Sequence, residues 1–160
     1  GWSGRKNRAA QSLAVYERLN AEDFRLWKLK GDVADTKGDR QAAIAAYGKA
    51  YDLGKYNDIG IAHLFVKAMA GSPPKRTAEI DALQPEIEHL MNDFALAVNR
   101  NTHFVSLSRN VEGLVETAKL LIVLFPADAA TYQAIIDDVT AKAESDRAKF
   151  SARPEGLLWR

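Results

Sequence analysis

Apolar residues recur every three or four positions along nearly the whole chain, and no segment keeps the two-residue alternation of a half-buried strand. The spacing predicts a first helix over about Arg5 to Leu19, with Ala9, Leu13 and Tyr16 on one face. Asn20 is the expected cap of a second, with Asp23 as a weak capping box, and that helix should run to about Thr36. Gly38 supplies the stop, and Asp39 caps a third helix, roughly Arg40 to Leu53, striped with Ala43, Tyr47 and Ala50 and closed by Gly54. Asn57 or Asp58 opens the next, with Ile61, Leu64, Phe65 and Ala68 facing inward and Gly71 at its end.

The clearest loop is Gly71-Ser72-Pro73-Pro74-Lys75-Arg76, since two prolines and a glycine do not continue a helix. Thr77 caps the segment that follows. There Ile80, Leu83, Ile87, Leu90, Met91, Phe94 and Val98 keep helical spacing straight through Pro85. The stripe argues for one helix and the proline for a break, so a kinked or two-piece helix ending near Val98 is expected. After a polar turn at Asn99-Arg100-Asn101 comes a helix from about His103 to Leu124, whose last turns are apolar nearly all round, as in a central buried helix. Pro126 ends it, and Asp128 caps a last helix to about Phe150 carrying Tyr132, Ile135, Ile136, Val139 and Ala143. Residues 151–160 read as an extended tail in which Leu157, Leu158 and Trp159 are either an anchor folded back onto the domain or a sticky end for another chain. The expected fold is all-α, about seven helices joined by short turns in a single domain of 160 residues.

Composition sharpens this picture mainly by exclusion. With 47% hydrophobic and 27% charged residues the chain has the make-up of a globular protein. A net charge of +1 gives no global field for nucleic acid, and the Arg5, Lys6, Arg8 cluster reads as a solvated helix start. Without cysteine there is no disulfide, thiolate metal site or thiol nucleophile, and the compartment stays open between cytoplasm and periplasm. The run Leu120 to Phe125 is far shorter than the roughly 18–20 residues of a membrane span. The missing initiator methionine reads as a processed or trimmed product, with room for an upstream membrane tether, as in the soluble domain of a membrane-anchored protein.

Candidate chemistry is thin. His63, His89 and His103 are scattered, and Glu86 with His89 forms a single E-x-x-H, half of what a di-iron bundle site needs. Asp137 and Asp138 are adjacent and point to different helix faces. Ser106 and Ser108 lack elbow glycines, and no phosphate-cradling glycine loop occurs. The chain is expected to be non-catalytic and to hold no metal or cofactor.

Residues 24–57 carry a longer pattern. Trp27, Gly31, Ala43, Tyr47 and Ala50 fall where a tetratricopeptide repeat of about 34 residues has its tryptophan, glycine, alanine, aromatic and small residue. The segment therefore resembles that family, with Lys30 in place of leucine, Ala34 in place of tyrosine and no closing proline. Gly31 and Ala43 would let two helices approach closely, with Trp27 and Tyr47 filling the wedge. One repeat length upstream, Ala9, Leu13 and Leu19 are compatible with half of an earlier repeat; one repeat length downstream, Thr77 and Asp81 are not.

The resemblance implies a short solenoid of stacked antiparallel hairpins over residues 5–57, followed by degenerate or unrelated longer hairpins over 58–150. It also implies that the first helix of the hairpin lines a concave groove. On that helix Arg25, Lys28, Asp32 and Asp35 form a polar stripe and become the candidate contacts for a protein or peptide partner. The expected function is an interaction scaffold or assembly factor. The alternative is a structural subunit packed constitutively in a multi-subunit or membrane-associated complex.

Overall fold

The computed structural model describes Arg8, which is helical, and residues 22–100 and 104–152. The tail anchor and the first helix apart from Arg8 lie outside those residues; the cap expected at Asn20 falls instead at Asp23, since Glu22 and Asp23 are not helical. The fold is all-α: α1 (Phe24–Thr36), α2 (Arg40–Gly54), α3 (Gly60–Ala70), α4 (Ala78–Arg100), α5 (Phe104–Leu124), a 3-10 turn (Pro126–Asp128) and α6 (Ala129–Ala152). Among the described residues there is no strand. The chain divides into two compact units, Gly1–Ile80 and Asp81–Arg160.

In the first unit the helix ends are set locally. Asp23 caps α1 by accepting from the Arg25 amide at 2.9 Å. The last turn of α1 closes with Lys37 N–H on Val33 and Asp39 N–H on Ala34, around Gly38 at φ +75°. That left-handed position suits glycine and turns the chain into α2. Asp39 caps α2 through the Ala42 amide at 3.1 Å. Asp58 accepts from the Gly60 amide and so starts α3, within two residues of the expected position. Thr77 meets the Ile80 amide at the head of α4 at 3.2 Å.

α2 packs against both α1 and α3. The α1–α2 crossing is close because two glycines sit under rings: a Cβ on Gly31 would lie 2.4 Å from the Tyr47 ring, and one on Gly54 would lie 2.4 Å from the Phe24 ring. Ala34, Ala43 and Tyr47 form a buried cluster, with Leu64, Phe65 and Ala68 of α3 packed on it. Phe65 also stacks at a tilt on Tyr51, their centroids 5.5 Å apart. Trp27 is half-buried, with the Lys30 ammonium 4.3 Å above its ring.

In the second unit α4 runs unbroken through Pro85. Asp81 and Pro85 are both exposed, so the proline sits on the outer face of the helix. The helix continues to Arg100, which absorbs the first two residues of the expected polar turn. Its core stripe is Ile87, Leu90, Met91 and Val98, while Leu83 and Phe94 are half-buried. α5 packs on α6; Leu114, Ala118 and Leu121 of α5 and Tyr132 and Val139 of α6 are buried. The end of α5 is not closed all round, since Val123 is 61% exposed. Thr117 is buried and turns its hydroxyl back to the Gly113 carbonyl at 2.8 Å.

Candidate functional site

α2 contacts both α1 and α3, and residues of all three helices line one groove-like hollow of about 260 Å3 in the first unit. It opens where α1 stops, α2 starts and α3 stops. Ala43 and Tyr47 of α2 and Leu64 and Ala68 of α3 supply its apolar lining. The hollow exists because Ala43 and Ala68 are small; bulkier residues at either place would fill it. Gly38, Gly71 and Ser72 form its mouth.

Three charged side chains reach the cavity: Asp35 from α1, Arg40 from the start of α2 and Lys67 from α3. Arg40 is held in place by the far end of α3. Its Nε donates to the Ala68 carbonyl at 3.1 Å and its Nη2 to the Met69 carbonyl at 2.7 Å. These are carbonyls of the last helical turn, which carry the negative end of the helix dipole. The side chains of Asp35 and Lys67 are exposed and enter no hydrogen bond or ion pair among the described residues.

The four residues of the polar stripe separate in space. Asp35 alone lines the cavity. Asp32, one turn earlier, accepts the Tyr47 hydroxyl at 2.6 Å and so ties α1 to α2. Burial, then the bond to Asp32, then the charges of Asp32 and Asp35 push the Tyr47 hydroxyl well above the usual tyrosine range. Arg25 grips its own cap: Nη2 lies 2.6 Å from Asp23 Oδ2, and Nε reaches both carboxylate oxygens. Lys28 is half-buried outside the cavity lining. The stripe shares one face of α1, but Arg25 stands about 15 Å from Asp35 along the axis, at about 1.5 Å per residue.

No protein-family model, curated protein or solved structure matches the chain.

Leu64, Lys67, Ala68 and Arg40 were not singled out for the groove. For three of them a signal was present: if first helices of hairpins line the groove, then α3, which opens the next hairpin, supplies the facing wall. Arg40 had no such signal, because its partners lie 28 and 29 residues away in sequence.

Other groups weighed from sequence have ordinary surroundings. His89 lies 3.5 Å from Asp93 on an exposed face. Asp137 receives the Gln133 amide, while Asp138 receives Asn99 of α4, so the adjacent carboxylates serve different faces. Among the described residues, no three His, Cys, Asp or Glu side chains gather to hold a metal, and no helix is long and apolar enough to cross a membrane.

Proposed function

We propose that this protein is a non-catalytic interaction scaffold, built on a tetratricopeptide-like hairpin, that receives a segment of a protein or peptide partner in the groove between α1 and α3. The observation that carries the reading is the open hollow over Ala43, Tyr47, Leu64 and Ala68, which Asp35 of α1 and Lys67 of α3 also line with unpaired side chains. Its volume, about 260 Å3, falls below the roughly 300–1,000 Å3 of typical small-molecule and cofactor sites. It suits an anchoring side chain better than a cofactor. The hairpin resemblance is supported by the contact of Gly31 with Tyr47, the two signature positions expected to let the helices close.

A second reading, a structural subunit of a larger assembly, draws support from the second unit. There Leu96 is 52% exposed beside a shallow hollow formed with Ala95, Ala134 and Ile135, and Val123 is exposed as well.

One experiment separates the two. Partners are captured from the source cell with the wild-type chain, with Ala68→Trp, which fills the groove, and with Leu96→Lys, which charges the second patch. The scaffold reading expects Ala68→Trp to lose at least about nine-tenths of the captured partner, a loss of the size hot-spot disruption produces, while Leu96→Lys keeps it. The reverse pattern, with both variants helical by circular dichroism, favours the structural subunit and removes the groove assignment.

A further inference from the structure

Resting on the groove reading, we infer that the partner segment is of mixed charge: one bulky apolar side chain enters the hollow, a basic residue faces the α1 wall, and an acidic residue faces the α3 wall. The hollow sets the first part. A cavity of about 150 Å3 accepts a benzene ring, so about 260 Å3 takes one aromatic or branched side chain with some of its backbone.

The walls set the second part, because they carry opposite signs. On α1, Asp35 is exposed and unpaired among the described residues. One turn earlier on the same helix the Asp32 carboxylate accepts the Tyr47 hydroxyl, so both acids are on α1. On α3, Lys67 is exposed and equally unpaired. The Arg40 guanidinium lies at the end of the same helix. The carbonyl end of α3 contributes about half a negative charge. Arg40 carries a full positive one and Lys67 a second, so that wall stays positive.

An apolar segment laid across these walls would strip water from Asp35 and Lys67 and give nothing in return. A segment charged with one sign throughout would meet repulsion from one wall. A basic residue toward Asp35 and an acidic one toward Lys67 satisfy both walls, and the arrangement rejects the alternatives as firmly as it accepts the match.

Four short end-blocked peptides with a fluorophore and a central phenylalanine test this. Two carry lysine and glutamate on either side of the phenylalanine in the two possible orders; one carries two lysines and one two glutamates. Binding is read by anisotropy with the wild-type chain, with the double variant Asp35→Lys/Lys67→Glu, and with Ala68→Trp and Ser72→Trp as two ways of closing the hollow. One mixed order should bind the wild type about threefold or more tighter than either like-charged peptide, the gain expected of two exposed ion pairs. The double variant should prefer the opposite order. If all four peptides bind alike, or the double variant keeps the wild-type preference, the charge assignment falls. The groove reading stands in that case so long as the hollow-closing variants abolish binding. Binding that survives both closures, or no binding by any peptide, overturns both.

Discussion

Gly31→Ala is expected to destabilise the first unit by about 2–4 kcal/mol, against the direction that helix propensity predicts. Alanine in place of glycine inside a helix should gain about 1 kcal/mol. Here the new methyl would lie 2.4 Å from the Cδ1 and Cε1 atoms of Tyr47, far inside contact distance. The ring cannot swing away cheaply. Tyr47 is only 4% exposed, packs on Ala34 and Ala43, and is tethered through its hydroxyl to Asp32 of the same helix that carries Gly31. Overpacking of this kind costs about 1–3 kcal/mol, and losing a hydrogen bond to a charged group adds about 1.5–3. Together these outweigh the propensity gain. For a unit of this size, each kcal/mol moves the thermal midpoint by roughly 4–8 °C, and hydrogen exchange of the α1–α3 amides should lose protection in step. Gly38→Ala is the control. Nothing lies within 4 Å of its Cβ position, but its φ is +75°, so only backbone strain acts and about 1 kcal/mol is lost. Tyr47→Leu in the Gly31→Ala background should recover part of the loss, because the two positions are in contact. A rise in midpoint on Gly31→Ala would show that the two helices do not cross at this glycine.

That crossing also marks how far the sequence could be read. Asp39, Gly38 and Thr77 act within a few residues of themselves, so the turn between α1 and α2 and the start of α4 were legible from local pattern. Pro85 was ambiguous because proline and periodicity disagree within one helix; exposure decides between them, and exposure is a tertiary property. The placement of Asp32 and Asp35 on one helix was legible from their spacing. That Asp35 would line a hollow shared with α3 was not, because it depends on where α3 comes to rest on α2. Arg40 is the extreme case, since its role is fixed by two carbonyls of another helix. In the second unit, the stripe of α4 gave Ile87, Leu90, Met91 and Val98 correctly, yet nothing in it announced that Glu88 and Gln84 would share the hydroxyl of Tyr132.

Alkaline unfolding should begin near pH 10 and draw on one tyrosine in each unit. Tyr132 is fully buried, donates its hydroxyl to Glu88 at 2.5 Å and accepts from the Gln84 amide at 2.7 Å. Tyr47 repeats the arrangement with Asp32. Burial first, then the bond to a carboxylate, pushes both hydroxyls well above the usual tyrosine range. Gln84, which also reaches Asp128, works the other way at Tyr132 by favouring the phenolate, but it is outweighed by burial and by the charges of Glu88 and Asp128. A group whose pKa is higher folded than unfolded stabilises the fold fully below its unfolded value, about 10 for tyrosine, and loses that contribution as pH rises toward the folded value. Each tyrosine should therefore subtract about 1.4 kcal/mol of stability per pH unit above pH 10. Tyr132→Phe separates this from the general titration of lysines. At neutral pH it should cost about 1.5–3 kcal/mol, the worth of a hydrogen bond to a charged acceptor. It should also remove the share of the alkaline slope due to Tyr132, so that its stability curve draws closer to the wild type as pH climbs past 10. Tyr47→Phe should do the same for the first unit. Urea unfolding between pH 8 and 11.5 checks both, and a variant curve that stays parallel to the wild type across that range would mean that the buried hydroxyls take no part in the alkaline transition.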